Sequence, residues 1–449
     1  MNAAWQHLTL SRLPADRWGQ GSFLYRWLFG SLTAWREGSW LMQYAEAIAA
    51  VLVGLLLVVS PFFSTSLIGI LLLACAGFWV LFAVCDKSDP GVTPVRLLVL
   101  LYWGIATVAT ALSPVKMAAF SGWVKLSLYL FFFLLCDRIL RSRRILSWLN
   151  AVYLHVAIVV SGYGLRQYFF RDAEAKATWT DPTSASAGVD RVFSFLGNPN
   201  LLGGYILPAI CLSAAAIFVW RGLLPKALAV IMFLVNTLCL VLTYSRGAWV
   251  GFVAAGFVFA LLLADWWSFK LPQRWRKWAV PGVVIASVLV VAMAVLFVEP
   301  IRDRVASIFA GRDDSSNNFR LNVWFAAIDM IRDRPLIGIG PGNSAFNLIY
   351  PLYMKAGFSA LSAYSVLLET AVETGFIGLI AFLWLLLVTL VNGVAKLRQS
   401  RELRDRHGYW LMAGIAILCG MMAHGLVDTV WYRPQVNTLW WFAVAIVSS

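Results

Sequence analysis

Apolar windows long enough to cross a bilayer recur along almost the whole chain, and no other feature narrows the possible folds so far. A helix needs about 20 such residues to span the hydrocarbon core. The windows lie at Leu41 to Ser60, Ser64 to Cys85, Leu97 to Leu112, Ala118 to Cys136, Ile145 to Leu165, Leu201 to Phe218, Ala227 to Thr243, Gly247 to Ala264, Val280 to Val298, Ser365 to Val391, Tyr409 to Val427 and Val436 to Val447. The last has its apolar core in Leu439 to Val447, short for a crossing, so it reads as a tilted span, an interfacial helix or a truncated one. With 61% of its 449 residues hydrophobic and 13% charged, the chain cannot be a water-soluble globule. The expected fold is all-α: a polytopic helical membrane protein with about 12 transmembrane helices and a partly helical large outer loop.

The net charge of +14 is, in so apolar a chain, a topology signal; no nucleic-acid partner is expected. Residues 1–40 carry Arg12, Arg17, Arg26 and Arg36 among Trp, Phe and Leu without a cleavage site, as a cytoplasmic interfacial segment does. With that end inside, the inner segments collect Arg138, Arg141, Arg143, Arg144, Lys396, Arg398 and Arg401, whereas the short outer loops keep only Lys116, Arg246 and Arg433. Long translocated loops are largely exempt from the charge bias, so the short loops decide, and both termini are expected in the cytoplasm. The chain then divides into the interfacial segment 1–40, nine transmembrane helices in 41–298, a large periplasmic loop 299–364 and C-terminal transmembrane helices in 365–449. The inner loops carry no phosphate-binding GxxxxGK[ST] motif, and any chemistry belongs at the outer surface or within the membrane. The six cysteines have no close pair and no His at metal spacing, so neither a disulfide framework, a metal site nor a cofactor is expected.

Three groups of residues could carry a function. Arg246 opens the eighth span at its outer end, where a guanidinium in low-dielectric surroundings is either an anion clamp or a side chain snorkelling to headgroups. Arg320 heads an amphipathic helical pattern in the large loop. Gly340 and Gly342 belong to ArgProLeuIleGlyIleGlyProGlyAsn (Arg334 to Asn343), either a small anion-binding nest or a sharp re-entry loop. GlyAsnProAsn at Gly197 to Asn200 reads as a turn capping the sixth span. Glu369 and Glu373 share one helix face with Ser365, which should therefore line a polar interior. His424 and Asp428 repeat the four-residue spacing, as a general base with its orienting carboxylate or as a structural pair. Glu46 and Lys125, each alone in a span, read as structural charges.

TyrSerArgGlyAlaTrpValGly at Tyr244 to Gly251, Arg320 with Trp324, ProLeuIleGlyIleGlyProGlyAsn at Pro335 to Asn343 and GluThrGlyPheIleGly at Glu373 to Gly378 closely resemble, in that order, the signature of the O-antigen ligase and polymerase superfamily. The resemblance implies a membrane lipid environment and an undecaprenyl diphosphate-linked glycan, whose pyrophosphate Arg246 and Arg320 would hold. In the ligases a His in an H[NSQ]x9GxxG motif is the base; Gly375 and Gly378 fill the glycines, Ser365 the second position, and Tyr364 stands where the His belongs. A Tyr, with an ordinary pKa of about 10, is a poor base, and His424 oriented by Asp428 is the expected substitute. TyrSerValLeuLeuGluThrAlaValGluThrGly at Tyr364 to Gly375, with HisGlyLeuValAspThrValTrpTyrArgProGlnValAsn at His424 to Asn437, looks like the cyanobacterial bicarbonate-transporter branch, implicated in inorganic-carbon accumulation. That likeness implies a small anion, bicarbonate, at the arginines and a proton or cation at Glu369 or Glu373. Transport is the favoured expectation, glycan ligation the alternative, and a noncatalytic membrane partner on the same scaffold, helping another transporter or a cell-envelope assembly, the third.

Overall fold

A computed structural model describes residues 3–10, 38–85, 93–170, 190–297, 299, 302–303, 305–306 and 311–449. The N-terminal arginines, the start of the large loop and most of the loop after Phe170 lie outside these residues. The described chain is almost entirely helical, with no strand among those residues. In chain order the helices are α1 Ala45–Val59, α2 Thr65–Cys85, α3 Pro94–Ala111, α4 Lys116–Ile139, α5 Arg143–Phe169, α6 Pro199–Val219, α7 Leu223–Leu242, α8 Arg246–Ser268, α9 Ala279–Phe297, α10 Ser315–Asp333, α11 Asn343–Ile349, α12 Val366–Glu402, α13 Gly408–Gly425 and α14 Pro434–Ser448. Ten of them are long and apolar enough to cross a membrane, and each falls on one of the apolar windows of the sequence. The other two windows form the 15-residue α1 and α14. The large loop contributes α10 and α11, so it is partly helical as its periodicity predicts.

Helix starts follow local chemistry. Asn198 accepts from the N–H groups of Asn200 and Leu201 and Pro199 opens α6, so the GlyAsnProAsn turn is a cap. Ser245 caps α8 through Ala248 N–H, and Asp314 caps α10 through Asn317 N–H. Both caps lie next to arginines of functional interest.

The interior is built from α6, α13 and α14, while α9 leaves its apolar surface uncovered, as a lipid-facing helix does. Small residues allow the tightest crossing: a Cβ on Gly251 of α8 would sit 2.7 Å from the Gly420 carbonyl of α13, so these helices meet at backbone distance. The terminal helix is well packed despite its short length. Leu439, Trp440, Trp441, Phe442 and Val447 are all buried, and α14 packs against α4, α12 and α13.

Ion pairs sort the connections onto two ends. Arg96 pairs with Asp137 at 2.8 Å, Ser448 Oγ donates to Asp137 at 2.5 Å, Arg143 meets Asp405 at 2.7 Å and Arg401 meets Asp265 at 2.6 Å. These are the segments that the charge count grouped as inner. Arg246, Arg320 and Asp428 collect at the other end, called here the arginine end.

Candidate functional site

The arginine end brings together residues distant in sequence. Arg246 is the first residue of α8 and its Nη2 lies 3.0 Å from Asp314 Oδ1, 68 residues away; the two side chains are 9% and 1% exposed. Arg320, in the second turn of α10, donates from Nη1 to Ser316 Oγ at 2.8 Å and lies 3.9 Å from Asp428 Oδ2. The charge of Arg320 acts on Arg246, so the two guanidinium groups belong to one electrostatic site. Arg320 Nε, Asp314 Oδ2 and His424 Nε2 are buried without hydrogen-bond partners, and unmet capacity of this kind in one place marks a site able to take a polar guest. One arginine is therefore locked and the other loosely held: Arg246 ties α8 to the cap of α10, whereas Arg320 has a free donor and a distant counterion.

Tyr364 borders this cluster. Its backbone takes φ 49°, its carbonyl accepts from Trp324 Nε1 at 3.4 Å and its ring meets Phe319 edge-on at 5.6 Å. Burial first, and then the negative charges of Asp428 and Tyr432, push its phenol up to about 12 against the opposing charge of Arg320. The phenol stays protonated at neutral pH, which leaves its hydroxyl able to donate a hydrogen bond and ill-suited to act as a base.

His424 sits below the cluster, 1% exposed, in a socket made by motif glycines. A Cβ on Gly247 would lie 2.7 Å from its Cδ2, one on Gly251 3.0 Å from its Cβ and one on Gly204 3.5 Å from its Cε1. The glycines of TyrSerArgGlyAlaTrpValGly thus make room for this imidazole. Asp428, instead of orienting the imidazole through a hydrogen bond seen here, faces Arg320.

The glycine-rich loop is a strap laid along α12. Ile339 N–H donates to Val372 O and Gly340 N–H to Glu373 O, both at 2.9 Å, and Phe376 N–H returns a bond to Pro335 O at 2.7 Å. Gly342 N–H donates to Glu373 Oε1 at 2.7 Å. The Gly340 and Gly342 donors, read from sequence as an anion nest, are thus spent on α12. The strap can lie this close because Gly375, at φ 67° and ψ −172°, interrupts α12, and a Cβ there would stand 2.2 Å from the Leu336 carbonyl. On the other side Gly342 abuts Gly122 of α4, with 2.6 Å between a built Cβ and its Cα.

Ser365 stands at the cap of α12 with no side-chain cap bond, and one turn on Glu369 is 8% exposed. Glu369 and Glu373 line a cavity of about 150 Å³ together with Lys125, Tyr102, Trp431 and Trp440. Lys125 borders this cavity, while Glu46 is exposed in the first turn of α1. Sequence reading did not single out Asp314; an Asp before SerSerAsnAsn at the head of an amphipathic pattern was the available signal.

The fold and this cluster define a polytopic helical membrane protein with two arginines of separate helices gathered at one end. Residues 204–383 match the family model described as O-Antigen ligase. The matched stretch contains Arg246, Arg320, the strap and both glutamates. No curated protein matched the chain.

Proposed function

We propose that the chain binds an undecaprenyl diphosphate-linked glycan at its arginine end, which faces the periplasm, and transfers the glycan to an acceptor hydroxyl. The observation that carries this reading is the unequal arginine pair: Arg246 fixed by Asp314 at 3.0 Å, and Arg320 only 3.9 Å from Asp428 with its Nε unpartnered. A diphosphate entering the site takes bidentate contacts from Arg320, supported by the charge of Arg246, and draws Arg320 away from Asp428. Asp428, released, accepts the proton of the acceptor hydroxyl as that oxygen bonds to the anomeric carbon. The anomeric C–O bond breaks and its electron pair leaves with undecaprenyl diphosphate, whose charge the arginines stabilise. Tyr364 donates a hydrogen bond within the site. His424 holds α6, α8 and α13 together beneath it, a positioning role in place of the base expected from sequence.

Bicarbonate transport is the second reading, favoured by one observation: α12 is broken at Gly375 beside two carboxylates, as the discontinuous helices of transporters are. The same arginines would then hold the small anion. A noncatalytic partner would retain the scaffold and lack both activities. Reconstitution in liposomes separates the three. Glycan transfer from an undecaprenyl diphosphate donor, lost in Arg320→Ala and in Asp428→Asn, supports the proposal; bicarbonate uptake above that of empty vesicles without transfer supports transport; neither activity together with retained diphosphate binding supports the accessory role.

A further inference from the structure

The cavity beside Glu369 and Glu373 has unmet hydrogen-bonding capacity of both signs. Glu369 and Thr429 are 8% and 2% exposed, and the Thr429 hydroxyl lies within reach of the Glu369 carboxylate, yet Glu369 Oε2, Trp431 Nε1 and Asn437 Oδ1 have no partner. All four residues line the same space, walled by the rings of Tyr102 and Trp440. A metal or ammonium cation would satisfy the carboxylate but offers nothing to the indole N–H, which only donates. A polyhydroxylated ring supplies hydroxyls that donate to Glu369 and Asn437 and accept from Trp431, while its C–H faces lie against the aromatic walls. Glu373 is already engaged with Gly342 N–H, so Glu369 is the carboxylate left to read the guest. Lys125, exposed on α4, borders both this cavity and an adjoining one of about 330 Å³ that includes Ser66 and Arg433, which gives a way in from the side.

We propose that this cavity binds one neutral sugar ring, a subsite for the glycan that is separate from the arginines; the assignment of the sugar to the glycan rests on the function proposed above. Ligand-detected NMR on the full chain in nanodiscs, with the methyl glycosides of glucose, galactose, mannose, rhamnose and N-acetylglucosamine as probes, tests it. At least one glycoside binds; Glu369→Gln weakens it by about tenfold, Thr429→Val weakens it as well should the first variant not fold, and Arg320→Ala leaves it unchanged. The proposal is overturned if no glycoside binds, if the folded variants bind as the parent does, or if tetramethylammonium alone binds in a Glu369-dependent manner. Undecaprenyl diphosphate is titrated in the same nanodiscs. If it binds while the glycosides do not, the subsite fails and the diphosphate reading stands; if the glycosides bind while it does not, the saccharide site stands without its assignment to that carrier.

Discussion

Arg246 and Arg320 differ in what each holds, and their variants should differ accordingly. Arg246→Ala strands Asp314, 1% exposed, without its counterion, and breaking a buried pair costs about 3–5 kcal/mol. Arg320→Ala removes a contact to Asp428 already stretched to 3.9 Å and should cost less than this. Thermal unfolding in detergent should therefore show a much larger loss for Arg246→Ala, recovered in part by Arg246→Ala with Asp314→Asn. For ligand binding the order reverses in kind: Arg320→Lys keeps the charge but loses the planar fork, and should weaken diphosphate binding by about tenfold, measured by titration in nanodiscs. Tyr364 supplies a pH prediction. Its phenol is raised to about 12, so the neutral form is favoured by folding; that contribution is complete below about pH 10 and fades as pH rises towards 12. Between about pH 6 and 9 it does not titrate. The activity–pH profile of Tyr364→Phe should parallel that of the parent over this range, and a limb that disappears in the variant would assign Tyr364 an acid–base role.

At the scale of elements, the glycine-rich strap depends on one interrupted helix. Gly375→Ala meets both a positive φ and the Leu336 carbonyl at 2.2 Å, so it should lower stability by more than about 3 kcal/mol. Gly256→Ala, in the same kind of apolar helix but with nothing within 4 Å of the built Cβ, should leave the melting temperature unchanged or raised. Equal losses at both positions would refute this account of the strap. The two positions also mark what sequence can reveal. Gly340 and Gly342 announce a turn, because closely spaced glycines permit little else, but nothing local says that the Gly342 donor goes to the Glu373 carboxylate across 31 residues of chain. Asp428 was visible through its spacing from His424, yet its charged neighbour is Arg320 on another helix. Asp314 went unnoticed because a pair spanning 68 residues leaves no periodic trace. The apolar windows were legible because each satisfies the membrane by itself; the extent to which α14 is buried was not, because its length alone does not reveal what Trp440, Trp441 and Phe442 pack against.

For the molecule as a whole, the separation of charge into two ends gives the function its direction. Arg143 with Asp405 and Arg401 with Asp265 share the end opposite the arginine pair, and the positive-inside bias predicts a cytoplasmic side for that end. Single cysteines at Ser316 and at Ser400, labelled in intact cells with a membrane-impermeant maleimide, should react at the first position only. Labelling at Ser400 alone would invert the topology and remove the periplasmic site. The central claim, that two guanidinium groups of α8 and α10 share one lipid-linked anion, is tested most directly by native mass spectrometry of the purified chain with undecaprenyl diphosphate. The parent should retain one copy of the lipid, and Arg320→Ala, confirmed as folded, should lose it. Retention of the lipid by the folded variant, or its absence from the parent, would contradict the account.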